Sequence, residues 1–410
     1  MLASRITWLD HDAAARERSQ RILALFKERG TRDELGLGAV RDNLAEALFP
    51  GTSTIQTRLR YMLFVPWIYQ RIEDELGSGK LKPVRISARA EQLEYEIVDY
   101  LGEAGDQVGV FGRSAGRRLK RLPSSVYWAG LDTWGVRVVP LTQDQYHREL
   151  PALVERRRDA MKAGMEGDDV GRDDGALTWH PGLPPAPDGF PKDIELGLES
   201  DEADFLLDRV RQRHPASLLA HLFEQCSPAE CTFPWEHPDR AGFSEAHQSL
   251  LDHAEKLSLL AQGAFLIYNL ALSELQGAEE RIERRRMEFS EWSDEVREAG
   301  LNHWDLRELW EKADRPYRVS LGARNFLESW LERVRDARGN PGKLLDDPGA
   351  RELIRRRESL LKGPRSRFAN PQALEQWGGS SGVARYRYRW PTVSQFHQDL
   401  HDGLSREGVL

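Results

Sequence analysis

The sequence predicts a mainly α fold with small β-wings, in which winged helix-turn-helix-like units surround a central helical domain. Three observations carry that expectation. Apolar residues recur at helical spacing along most of the chain, strand signals are few and short, and two helix–turn–helix pairs are each followed or flanked by basic residues.

The central helix comes first. Ser244 stands where it can cap a helix whose register includes Leu250, Leu257, Leu260, Ala264 and Tyr268, and the pattern runs on into EERIERRRMEFSEW. Further helices are expected at Ala13–Lys27, Glu91–Tyr100, Ser200–Arg213, Trp304–Ala313 and Ser320–Ala337. Strands are expected only at Val108–Phe111, Val136–Pro140 and Val383–Trp390, too few for a parallel α/β sheet.

The two helix pairs follow. Gly38–Leu48, a Phe-Pro-Gly turn, and a second helix capped by Thr52 or Ser53 form the first, with Ile55, Leu59 and Met62 facing inward and Arg58 and Arg60 available to phosphate. In the second, FGRSAGRRLKRL places Phe111, Ala115, Leu119 and Leu122 on one helical face. Arg113, Arg117, Lys120 and Arg121 fall on the other, with Arg118 beside them. Pro123 at a first helical turn, the inward set Tyr127, Leu131 and Trp134, and Gly135 as a terminator complete the pair.

Composition bounds the class. The 410 residues carry 58 Lys+Arg against 66 Asp+Glu, a net charge of −8, with 40% hydrophobic residues, which excludes a disordered or fibrous chain. That total conceals an acidic middle, −11 over residues 151–260, and a basic stretch, +7 over residues 351–391. Met165 to Asp193 is rich in Asp, Gly and Pro, and RGNPGKLLDDPG marks a second break. The expected division is therefore an N-terminal helical domain over 1–145 and an acidic linker or surface loop over 146–199, then a helical domain over 200–338 and a basic winged-helix-like unit over 339–410. The start lacks the pattern of a secretory signal and the longest apolar run, Leu259 to Leu272, is interrupted and short of a bilayer span. A cytoplasmic protein without membrane contact is expected.

At the C-terminus, Arg385-Tyr386-Arg387-Tyr388-Arg389-Trp390 alternates strictly. As a strand it would put Arg385, Arg387 and Arg389 on one face and the aromatics on the other, as in a wing that grips phosphate.

Catalytic motifs are weaker. Gly112-Arg113-Ser114-Ala115-Gly116 matches a nucleophile elbow without the sheet that elbow needs. Gly77-Ser78-Gly79-Lys80 departs from a phosphate loop at Asp74 and Leu81. His221, Cys226, Cys231 and His237 are zinc-compatible in type but not in spacing. No cofactor is expected. The reading is a non-enzymatic DNA-binding component, its partner double-stranded DNA, contacted through Arg58, Arg60, Arg113, Arg117, Arg118, Lys120, Arg121, Arg385, Arg387 and Arg389. The alternative is a protein-interaction scaffold or regulatory subunit that binds no nucleic acid.

The motifs GTRDELGLGAVRD, LFPGTSTIQTRLRYMLFVPWIY, RLPSSVYWAGLDTWGVR, HPGLPPAPDGFP and RYRWP, spread over nearly the whole chain, resemble a family of uncharacterised bacterial proteins, a domain of unknown function. The resemblance implies membership of mobile-element or antiphage defence loci, beside helicases and nucleases as protein partners. It carries no site residue.

Overall fold

The computed structural model describes residues 33–103, 108–112, 119, 121–165, 177–192, 194–313, 315–337 and 339–406. These residues form fourteen α-helices and no β-strand; the nearest thing to a ladder is one isolated bridge between Arg137 and Trp179. The chain divides into two compact units, the first from residues 49–230 and 391–406, the second from residues 33–48 and 231–390.

The first unit is organised by α2 (Tyr61–Gly77). In the sequence YMLFVPWIYQRI nearly every side chain is apolar or aromatic, so the helix is buried all round rather than along one stripe. Three helices pack against it: α3 (Ile86–Glu103), α4 (Pro123–Thr133) and α5 (Gln143–Met165). As expected, α4 opens on Pro123, and Gly135 follows it at φ +68°, a conformation that favours glycine. Two further helices, α6 (Ser200–Arg213) and α7 (Leu218–Gln225), pack on each other. Phe396, from the last helix, stacks on Tyr127 of α4. Of the acidic Pro/Gly-rich stretch, residues 177–192 run irregularly, and Thr178 and Trp179 are buried.

In the second unit, α1 (Gly38–Leu48) is capped by Asp33, whose carboxylate accepts from the Leu37 and Gly38 amides. The core is built on α8 (Glu245–Leu275), capped by Ser244 as the sequence predicts. It is the one described helix long and apolar enough to cross a bilayer, yet 83% of that stretch is buried within the fold, so it is a core helix. Against it packs α9 (Glu279–Glu298), at Gly263: a side chain there would collide with Trp292. The Trp292 and Trp330 indoles donate to the Leu259 and Leu260 carbonyls of α8 at 2.8 Å each. Trp330 lies on α11 (Leu321–Asp336), the helix predicted at Ser320–Ala337; α10 (Leu306–Ala313) packs on α1, and α12 (Pro348–Lys362) on α8 and α11. A short α13 (Pro371–Glu375) and α14 (Trp390–Leu404), which continues into the first unit, complete the chain.

Three local expectations are corrected. Gly51–Arg60 is not a helix; the chain is irregular until α2 begins at Tyr61. Its amides have other acceptors, since Thr57 and Arg58 donate to the Tyr127 hydroxyl and Leu59 to Asp399. Val108–Phe111 and Val136–Pro140 are turns and irregular chain. Val383–Trp390 is no wing strand either: Tyr388 and Arg389 sit at φ +46° and +67°, which no strand tolerates, and the Tyr386 amide bonds to Ser258 instead of a ladder partner. The predicted helix at Ala13–Lys27, most of the Phe111–Leu122 helix and the body of the Gly112–Gly116 motif lie outside the described residues.

Candidate nucleic-acid interface

Of the ten candidate cations, Arg113, Arg117, Arg118 and Lys120 lie outside the described residues, and Arg121 is half-buried. The rest can be traced atom by atom.

Arg58, just before α2, meets Asp399 of α14. Its Nε lies 2.9 and 3.0 Å from the two carboxylate oxygens and its Nη2 2.8 Å from Oδ1, while Nη1 donates to the Val108 carbonyl. The same carboxylate accepts from the Leu59 amide and from Gln395. Burial pushes the Asp399 carboxyl above its usual range, and the charge and hydrogen bonds of Arg58 pull against that. Arg60 donates to Glu202 at 2.7 Å and to the Glu195 carbonyl, its guanidinium lying over the Phe64 and Trp67 rings.

The alternating C-terminal arginines are held in the second unit. Arg385 pairs with Glu295 at 2.8 Å and lies over the Phe233 and Trp235 rings. Arg389 pairs with Glu46 of α1 at 2.7 Å. Only Arg387 is exposed, its Nε donating to the Thr232 carbonyl. A buried guanidinium bound to a carboxylate reaches phosphate only by giving that carboxylate up, at a cost of about 3–5 kcal/mol for a desolvated pair. Arg58, Arg60 and Arg389 are thus built as internal ties, whereas Arg385, whose partner Glu295 is 54% exposed, makes a solvent-screened pair.

Exposed cations without an ion-pair partner lie elsewhere among the described residues; they include Lys80, Lys82 and Arg85 between α2 and α3, and Arg355, Arg356 and Arg365 on and after α12. The basic stretch over residues 351–391 signals the second group. The first follows the glycines that fail as a phosphate loop.

Two buried carboxylates were not legible in the sequence. Glu73 of α2 accepts from the Tyr146 hydroxyl, the Thr178 hydroxyl and the Trp179 indole on one oxygen and from Arg157 on the other, all within 2.9 Å. Glu94 of α3 has no ion-pair cation among the described residues. It accepts from the amide and hydroxyl of Ser124 at 2.8 and 2.7 Å, capping α4, and burial pushes its carboxyl up to about 7. From Ser124 the network continues through Gln143 to the Tyr69 hydroxyl and His147, whose imidazole is lowered by burial. Ser124 is 1% exposed, so its hydroxyl serves packing and not attack on a substrate. A groove of about 410 Å³ beside Trp304, Asp305, Arg307 and Glu328 carries an exposed Asp305–Arg307 pair on its wall. Among the described residues no three His, Cys, Asp or Glu side chains converge as a metal site, and Cys226 and Cys231 form no disulfide.

Fold and site together define a two-unit helical protein in which Arg58, Arg60, Arg385 and Arg389 each pair with a carboxylate of their own unit. The chain belongs to DUF6361, a family of unknown function, whose profile matches residues 3–403. Neither a curated protein nor a solved structure matches it.

Proposed function

We propose that this chain is a non-enzymatic protein-interaction scaffold or regulatory subunit of a cytoplasmic bacterial defence or mobile-element complex, with a helicase or nuclease effector as partner. The observation that supports this reading best is the pairing of Arg58, Arg60, Arg385 and Arg389 with Asp399, Glu202, Glu295 and Glu46. The charge of these four arginines, which looks available along the sequence, is neutralised inside each unit, and nonspecific nucleic-acid affinity depends on unneutralised cations. The defence setting rests on the family resemblance alone.

Anisotropy of a labelled duplex and a labelled single strand, titrated from low to physiological salt, tests this. The expected result is no binding at low salt, with capture of a stoichiometric protein partner by the tagged chain. Tight binding with a steep salt slope overturns it.

A second reading, a double-stranded-DNA-binding component with a helix-turn-helix-like unit formed by the Phe111–Leu122 segment and α4, is favoured by the unpaired Lys80, Lys82 and Arg85. It expects that steep salt slope. It also expects weaker binding when Arg117, Lys120 and Arg121 are changed to Glu.

A further inference from the structure

Among the described residues, one buried cation of the second unit pairs with no carboxylate. The Arg357 side chain of α12 is drawn inward, leaving the residue 8% exposed; its Nε donates to the Leu35 carbonyl at 2.8 Å and its Nη2 to the Gly36 carbonyl. The guanidinium lies over the Phe326 ring, and glycines at 36 and 322 leave it room: a Cβ on Gly322 would stand 2.9 Å from Nη1. Asp33 is its nearest influential carboxylate, yet it is not within ion-pair distance and is occupied capping α1. Nη1 has no hydrogen-bond acceptor among the described residues and keeps contact with solvent. Burial without a counter-charge disfavours the cation, as its lowered pKa reflects.

Large apolar side chains bracket this group. Leu321 is the residue before Gly322 and is 75% exposed. Leu361, one turn beyond Arg357, approaches to 3.1 Å from a Cβ on Gly36 and is 41% exposed; Leu360 beside it is 73% exposed. Scattered leucines on a surface need no explanation, but Leu321 beside Gly322 and Leu361 beside Gly36 flank a guanidinium that is 8% exposed, with Leu360 next along α12, apolar at the rim and cationic at the centre. Arg355, Arg356 and Arg365 add exposed positive charge on the same helix and just after it, against the single exposed acid Glu352 of α12.

The geometry points to this surface, Leu321, Arg357, Leu360 and Leu361, as the docking site for an acidic amphipathic helix of a partner protein, one carboxylate meeting Arg357 and flanking apolar side chains covering the leucines. Charge complementarity selects that occupant, and the leucines set it apart from nucleic acid, which offers phosphate without an apolar face. The inference rests on the scaffold reading and adds the partner's chemistry.

The test uses the full chain and a fluorescein-labelled helical peptide of glutamate and leucine at i, i+3 and i+4 spacing, with a Glu→Gln version as control. Saturable binding of the acidic peptide, at least tenfold tighter than the control, is expected, and Leu360→Glu and Leu321→Glu should each weaken it about tenfold. Arg357→Met should erase the preference between the two peptides; if that variant fails to fold, the two exposed leucine positions carry the test. Equal affinity for both peptides, or unchanged affinity in the leucine variants, overturns the assignment. So does displacement of the peptide by phosphatidylglycerol vesicles, or a photo-cross-linker at position 360 that captures residues 1–32 of the same chain. The scaffold reading survives those outcomes if the chain still captures a protein partner, and it fails separately if the chain binds duplex with a steep salt slope.

Discussion

Arg58 and Arg357 are both guanidiniums drawn out of water, and they differ in what meets them. Arg58 in the first unit faces a carboxylate, Asp399, that is itself fully hydrogen-bonded; Arg357 in the second faces two carbonyls and a rim of leucines. The difference separates a cation matched by a carboxylate from one held by carbonyls alone. Glu94 is the mirror case, a buried carboxylate with hydrogen bonds and, among the described residues, no cation.

The largest effect should come from removing the counter-charge. Asp399→Ala leaves Arg58 partly buried and the Leu59 amide without its acceptor, and a loss of about 3–5 kcal/mol in urea unfolding is expected. A loss under about 1 kcal/mol would erase the distinction between the two arginines.

Glu94 comes next. Its carboxyl rises from 4.5 to about 7 on folding, so the folded state binds the proton more tightly than the unfolded one. The stability it contributes is complete below pH 4.5 and falls as pH rises to about 7, by roughly 3 kcal/mol. His147, lowered by burial, acts in the opposite sense, its contribution falling as pH drops below 6.5. Glu94→Gln should flatten the Glu94 part of the profile; denaturation midpoints of both proteins across pH 4.5–7.5 would reveal it, and parallel curves would count against the buried, cation-free carboxylate.

A smaller change is expected for Arg357→Met. An unpaired buried cation replaced by an apolar side chain of similar length loses two hydrogen bonds and a desolvation penalty together, so stability should shift by about 1 kcal/mol or less. Thermal unfolding of the variant checks this, and a loss as large as that for Asp399→Ala would make Arg357 another internal tie. Leu360→Glu, at an exposed position, should move stability by no more than about 0.5 kcal/mol, measured the same way.

Much of the fold was legible along the chain. The register through Leu257, Leu260 and Ala264 marks the core helix α8, Pro123 and Gly135 bracket α4, and the helix expected at Ser320–Ala337 is α11, because helix periodicity and capping act over four residues or fewer. The site was less legible. Gly51–Arg60 carries a helical apolar spacing, but its amides are taken by Tyr127 and Asp399, far away in sequence. The alternation of Arg385–Trp390 satisfies a strand's pattern without a neighbouring strand to pair with, and Ser258 and Glu295 of helices α8 and α9 hold its residues instead.

Helix positions, their buried faces and the net charge of each stretch are therefore properties of the linear chain. Which arginine is neutralised is not: Arg58 and Asp399 stand 341 residues apart, and Arg389 and Glu46 stand 343. A charge's effect depends on distance and on the water around it, and only the tertiary structure sets those, closing Arg58 against a carboxylate and leaving Arg357 with none.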